Sequence, residues 1–175
     1  TVASHQYQRN SPAYLPEILQ ALADVRGEPI AELAIRTTSN ARRVLEEALE
    51  MDPGYQDAWV TLGNIHNNTG DNDAALDCYT KAIELKPNDG RGYYSRGRIY
   101  MAREQWDDVV SDFSSAINLY SRRDWRGDAF YNRARCHEGA GRIQEAIADY
   151  NEAFNHGIQQ GIQESFRLKD IHGLD

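Results

Sequence analysis

Three stretches decide the fold: WVTLGNIHNNTG from Trp59 to Gly70, YYSRGRIYMARE from Tyr93 to Glu104, and FYNRARCHEGAG from Phe130 to Gly141. Each opens on an aromatic residue, and the openings lie 34 and 37 residues apart. The same two offsets tie Gly63 to Gly97 and Ala134, Ala75 to Val109 and Ala146, Tyr79 to Phe113 and Tyr150, and Ala82 to Ala116 and Ala153. Matched chemistry in every column at one period identifies a repeat array, in which no unit buries its apolar face alone and neighbours must stack. Upstream, Ala41, Leu45, Ala48 and Pro53 precede Ala75, Tyr79, Ala82 and Pro87 by 34 residues, adding the second half of an earlier unit.

These residues resemble the tetratricopeptide repeat, whose pattern is a Trp-x-x-Leu-Gly-x-x-Tyr element followed by a small residue, an aromatic, an Ala and a closing Pro. The resemblance runs from about Ala41 to Ile158. It implies an all-α, right-handed solenoid of helix-turn-helix units, divided into a partial repeat at 41–55, full repeats at 56–89, 90–126 and 127–158, a helical segment at 1–40 before them, and a short C-terminal capping helix and tail at 159–175. In each unit Trp59, Tyr93 or Phe130 wedges between two antiparallel helices. Gly63, Gly97 and Ala134 permit their close approach, and Ala82, Ala116 and Ala153 permit the next unit to stack. Pro87 stops a helix because it brings no N–H, and Asp71 and Asp73 suit a helix N-terminus. The third unit has Ser121 where a proline would fall and is three residues longer, so an extended loop carrying Trp125 is expected there.

The chain has 175 residues with a formal net charge of −8, a mean hydropathy of −0.71 and a sequence pI near 5.1. No apolar run approaches the roughly 20 residues of a membrane span. The acidic balance argues against direct nucleic-acid binding, which needs a basic stripe to release counterions. Cys78 and Cys136 lie far apart, without a C-x-x-C pair, so neither a disulfide framework nor a thiolate metal site is indicated, and a reducing, cytoplasmic setting is the default. The first residues lack the basic and apolar regions of a secretory signal. Thr1, in place of an initiator Met, points to a piece of a longer product.

The N-terminal part resembles a second family. Arg9, Asn10, Pro12, Ala13, Leu15, Ile18, Leu19, Leu22, Arg26, Gly27, Leu33, Thr37, Thr38, Asn40, Ala41 and Leu45 follow the order and spacing of the C-terminal end of TatD-family metal-dependent deoxyribonucleases, with Ser11 where that family has Glu. The resemblance implies a metal-dependent hydrolase whose ligands lie upstream of this segment. None of them maps onto this chain, and three short helices are no barrel of about 250 residues. Local chemistry gives the same plan: Ser11 caps a helix opened by Pro12, Gly27 ends it, Pro29 begins the next, and Thr38 or Ser39 caps a third that ends at Pro53.

No metal, cofactor or catalytic group is expected among these residues. His66 and His137 align with Tyr100 and read as packing residues; Cys136 aligns with Ile65 and Ile99 and is expected to be buried, with Cys78 partly exposed. No nucleophile elbow, Walker loop or His-Glu-x-x-His is present. What remains is the inner, concave stripe of the first helices. Helical spacing from the wedges places Asp57, Val60, Asn64 and Asn67 on it, then Arg91, Tyr94, Arg98 and Met101, then Asp128, Tyr131, Arg135 and Glu138. Asn64, Asn67, Arg91, Tyr94, Arg98, Tyr131 and Arg135 are the candidate contacts for a protein or peptide segment with acidic and apolar side chains. The alternative use of the stripe is intramolecular Arg–Asp pairing. The two-carboxylate clamp of some tetratricopeptide proteins is not predicted: only Asn64 matches it, Val60 occupies a Lys site, and Ser95, Asp128 and Asn132 stand at later positions.

Overall fold

The computed structural model describes residues 15–174, and all regular structure among them is α-helical. The chain forms two compact units, which divide between Glu47 and Ala48.

In the first unit, α1 (Leu15–Arg26) ends where Gly27 takes a φ of +64°, and α2 (Ile30–Met51) starts just after Pro29. Ala23 and Leu33 are buried among its described residues, and Arg36 pairs with Glu28 at 2.5 Å. The expected helix start at Thr38 or Ser39 is absent, because α2 runs through it without a break. Nothing there forces an interruption: no glycine or proline intervenes, and the hydroxyl of Thr37 donates back to the Leu33 carbonyl at 2.7 Å, a bond compatible with helix interior. The helix cap at Ser11 and Pro12, and the motif residues Arg9, Asn10, Pro12 and Ala13, lie outside the described residues.

The second unit contains the repeats. Helices α3 (Gln56–Asn68) and α4 (Asn72–Leu85), α5 (Gly90–Ala102) and α6 (Trp106–Leu119), and α7 (Arg123–Gly139) and α8 (Ile143–Asn155) form three hairpins, and α9 (Gln160–His172) packs on α8. Small residues at the matched columns let the helices meet. Ala75, Ala82, Ala116, Ala134, Ala146 and Ala153 are fully buried, as are the ring columns Tyr79, Phe113 and Tyr150. A Cβ on Gly63 would lie 2.6 Å from the Tyr79 ring, so only glycine permits this separation. The opening aromatics are half-buried: Tyr93 and Phe130 pack on Ala116, Ile117, Tyr120 and Ala129, while the Trp59 indole donates to the Pro53 carbonyl at 2.9 Å.

The hairpin turns follow the same register. Gly70 and Gly141 have φ of +85° and +74°, and Glu104 occupies the equivalent place with φ of +56°. A side chain there carries the left-handed penalty of about 1 kcal/mol. Glu104→Gly is therefore expected to stabilise the protein by up to about 1 kcal/mol in urea denaturation; a lower midpoint would refute the strain at this turn. The extended loop expected after Leu119 is not present. The extra residues are absorbed by α7, which has 17 residues against 13 in α3 and α5, and Trp125 lies in its first turn.

Candidate partner-binding groove

The charged side chains separate into those the fold consumes and those it leaves available. Two buried ion pairs recur in register. Arg96 donates to both carboxylate oxygens of Asp112 at 2.8 and 2.9 Å, and Arg133 donates to both of Asp149 at 2.6 and 2.7 Å. Each guanidinium gives a further hydrogen bond to a hydroxyl of the preceding unit, Thr80 or Ser114, and lies near aromatic faces, Tyr93 and Tyr100 for Arg96 and Phe130 for Arg133. Such forked pairs fix orientation as well as charge. In the first hairpin the same columns hold Leu62 and Cys78. The 37-residue offset linking Arg96 to Arg133 and Asp112 to Asp149 was available as a signal, but helical charges read alone look like a solvated face.

His137 is buried 3.7 Å from Asp149, and its burial lowers the imidazole pKa. Cys136 is fully enclosed, which pushes its thiol up to about 12. Cys78 is buried as well, not partly exposed, because it faces the hairpin interior where Asp112 and Asp149 sit in the later units. Exposed pairs at the turns, Arg103 with Asp73 and Arg142 with Asp107, tie neighbouring units but contribute little each.

On the candidate stripe, Asn64 accepts from the Tyr79 hydroxyl at 2.8 Å. Arg91 is held by Asp57 at 2.5 Å and Asp89 at 2.6 Å, and this guanidinium keeps the Asp89 carboxyl below its ordinary value. Arg91 thus takes the intramolecular role. Tyr94 accepts from Asn132 at 3.0 Å and packs against Phe113 and Tyr120, and Tyr131 packs on Tyr150. Arg98 and Arg135, in the same column of successive repeats, are exposed and have no ion-pair or hydrogen-bond partner among the described residues. Asn67 is half-buried near the end of α3.

Two open pockets lie along the stripe, and of the two arginines only Arg135 lines one. The first, about 280 Å³, is lined by Val60, Asn64, Arg91, Tyr94, Ser95, Tyr120, Trp125 and Asp128. The second, about 370 Å³, is lined by Tyr131, Arg135, Glu138, Gly139, Tyr150, Glu164 and Arg167. The structure therefore gathers Asn64, Arg91 and Tyr94 at one site and Tyr131 and Arg135 at another. Tyr120, Trp125 and Asp128 belong to the first pocket because α7 begins early; the helical count from the wedge residues had Asp128 on the stripe but left the two rings in turns. Among the described residues, no group of three or more His, Cys, Asp or Glu is placed to hold a metal ion, and no helix is long and apolar enough to cross a membrane.

Two family models described as tetratricopeptide repeat match residues 57–89 and 94–156, together more than half of the chain. Protein bimA of Emericella nidulans is 28% identical over 107 residues, covering 61% of this chain and 13% of that protein. The TPR repeat-containing protein MJ0263 of Methanocaldococcus jannaschii is 32% identical over 107 residues, covering 59% of this chain and 32% of its own length. The chain thus spans less than half the length of these relatives. Among solved structures, a crystal structure of MamA is similar with a TM-score of 0.71 at 19% identity, covering 79% of this chain and 82% of that one. The first TPR of Spaghetti (RPAP3), bound to the HSP90 peptide SRMEEVD, has a TM-score of 0.61 at 21% identity, covering 67% and 93%. The family models begin at position 57, so the Arg9–Leu45 pattern stands on its sequence alone.

Proposed function

Since this chain belongs to the tetratricopeptide-repeat family, we propose that it is a protein–protein interaction scaffold that holds a segment of another protein in the groove lined by α3, α5 and α7, with no chemistry of its own. The observation that carries this reading is the pair of exposed arginines, Arg98 and Arg135, without ion-pair partners among the described residues; Arg135 lines an open pocket with Tyr131 and Tyr150, and Tyr94 and Tyr120 line a second pocket on the same stripe. Guanidinium groups recognise carboxylates by forked hydrogen bonds, and Tyr and Arg supply most interface hot spots. The segment is accordingly one with acidic and apolar side chains.

A chaperone-type acidic terminal tail is not the ligand this groove favours, although the RPAP3 domain binds such a peptide. Here Val60 is buried and uncharged where a clamp lysine would stand, and Asp128 adds repulsion. The alternative, that the chain is the recruiting or regulatory part of a TatD-like metal-dependent deoxyribonuclease with its catalytic residues upstream, rests on the Arg9–Leu45 pattern. The helix start which that pattern implies at Thr38 is replaced by the uninterrupted α2.

Combined Arg98→Glu and Arg135→Glu is expected to weaken partner capture by at least about tenfold while the helical circular dichroism and melting temperature stay at the wild-type values, since neither side chain is buried. Undiminished capture by the folded double variant would overturn the groove assignment.

A further inference from the structure

At the Trp125 end of the groove the charges do not follow the arginine stripe. The rings of Tyr94 and Tyr120 lie 6.1 Å apart between centroids, and Trp125 meets Tyr120 edge-on at 5.5 Å. Together they wall the 280 Å³ pocket into which Asp128 also opens. Nearby charges are answered within the fold. Arg91 is shared by Asp57 and Asp89, Lys86 lies 3.8 Å from Asp89, and Arg122 pairs with Asp124 at 2.6 Å while stacking over the Trp125 ring. Asp128 is the exception: its carboxylate has neither an ion pair nor a hydrogen bond to any described residue, although its main-chain carbonyl accepts from Asn132. An unanswered carboxylate in a pocket walled by three aromatic rings suits a cation, because ring quadrupoles attract positive charge, as Arg122 over the Trp125 ring already illustrates, and a partly desolvated acid does so more strongly.

We propose that this pocket receives a lysine or arginine side chain of the bound segment, its aliphatic stem against Tyr94, Tyr120 and Trp125 and its charged end on Asp128. The assignment rests on the groove reading above and refines it: the partner carries a basic residue in addition to acidic ones. Asp128 and Arg135 are two turns apart on α7, about 10 Å at 1.5 Å per residue. That distance is bridged by about three residues of extended chain. The recognised segment therefore has a basic residue and an acidic residue separated by two others.

The probe is the tetrapeptide acetyl-Lys-Ala-Ala-Glu-amide, titrated into the whole chain with amide and indole shifts followed by NMR. Saturable shifts are expected at the Trp125 indole and at the Ser95 and Asp128 amides. Replacing the peptide lysine by norleucine, or Asp128 by Asn in the protein, is expected to weaken binding by about five- to tenfold, whereas arginine in the lysine place retains it. Asp128→Asn is nearly isosteric at an exposed position, so the fold is kept. Equal affinity for the norleucine peptide, or an Asp128→Asn variant indistinguishable from wild type, overturns the pocket assignment. Replacing the peptide glutamate by glutamine tests Arg135 separately: weakening there with no lysine effect leaves the groove standing and removes this pocket. Absence of any shift at millimolar peptide removes it as well.

Discussion

Asp112→Ala is expected to cost about 3 kcal/mol, among the largest losses available to a single side chain in this protein. Removing the carboxylate strands the Arg96 guanidinium between two aromatic rings with only the Thr80 hydroxyl to accept from it, and an unpaired charge in such a place carries a desolvation penalty of roughly 3–5 kcal/mol. The Arg96 side chain retains 19% exposure, which lets it turn partly to water and sets the figure at the lower end. The double variant Arg96→Leu/Asp112→Cys is expected to lie within about 1 kcal/mol of wild type, since an apolar pair of similar fit replaces a buried ion pair at little net cost. The protein already contains that solution, with Leu62 and Cys78 in the corresponding places of the first hairpin. Urea denaturation of both variants decides the matter. A single variant as stable as wild type, or a double variant no better than the single, would show that the pair is not what holds α5 on α6.

Gly161→Ala is the second substitution with a large expected effect, and its sign is a contest between two terms. Alanine is the better helix former by about 1 kcal/mol. Against this, its Cβ would lie 2.3 Å from the Tyr150 carbonyl oxygen and 3.0 Å from the Phe154 nitrogen, both main-chain atoms within α8. Main chain inside a helix has little room to retreat, so α9 must move outward and Gly161, Ser165 and Leu168 lose part of their burial. Overpacking of this kind costs about 1–3 kcal/mol, and the steric term wins. Amide exchange should accelerate along Gln160–His172 ahead of α5 and α6, with a lower melting temperature. Unchanged exchange in α9 would mean that the two helices separate without penalty.

The hairpins were legible in sequence because their determinants are local and periodic. Gly63, Ala82 and Tyr79 each state a separation or a filling that only one packing satisfies. The break at Gly27 was legible for the same reason, as a residue free to adopt positive φ. Thr38 misled because a threonine that suits a helix cap is also accommodated in a helix interior, as the neighbouring Thr37 shows by donating back to the Leu33 carbonyl, and only the surrounding chain selects between these. Trp125 misled because the early start of α7 is set by Tyr120, Arg122 and Trp125 packing together after Leu119, contacts that no spacing rule contains. The candidate groove was drawn from register, and register cannot tell a free arginine from an engaged one. Arg91 is engaged because Asp57 reaches it from α3 and Asp89 caps its own helix beside it, while Arg98 and Arg135 have no ion-pair partner among the described residues.

The hydroxyls of Thr80 and Ser114 also govern how the array comes apart. Each receives the guanidinium of the following hairpin, so unravelling of one hairpin removes an acceptor from the next buried pair. That is a nearest-neighbour coupling in the sense of a one-dimensional cooperative chain, acting between successive hairpins in addition to surface burial. The first hairpin, with Leu62 and Cys78, has no such internal pair and sends no guanidinium upstream. Its opening removes the Thr80 acceptor from Arg96 and the exposed partners Asp57 and Asp73 from Arg91 and Arg103, whereas opening of the second hairpin also breaks a buried pair of its own and strands Arg133 from Ser114. Cooperativity is therefore concentrated between the second and third hairpins, and within the repeat unit the fraying front belongs at α3.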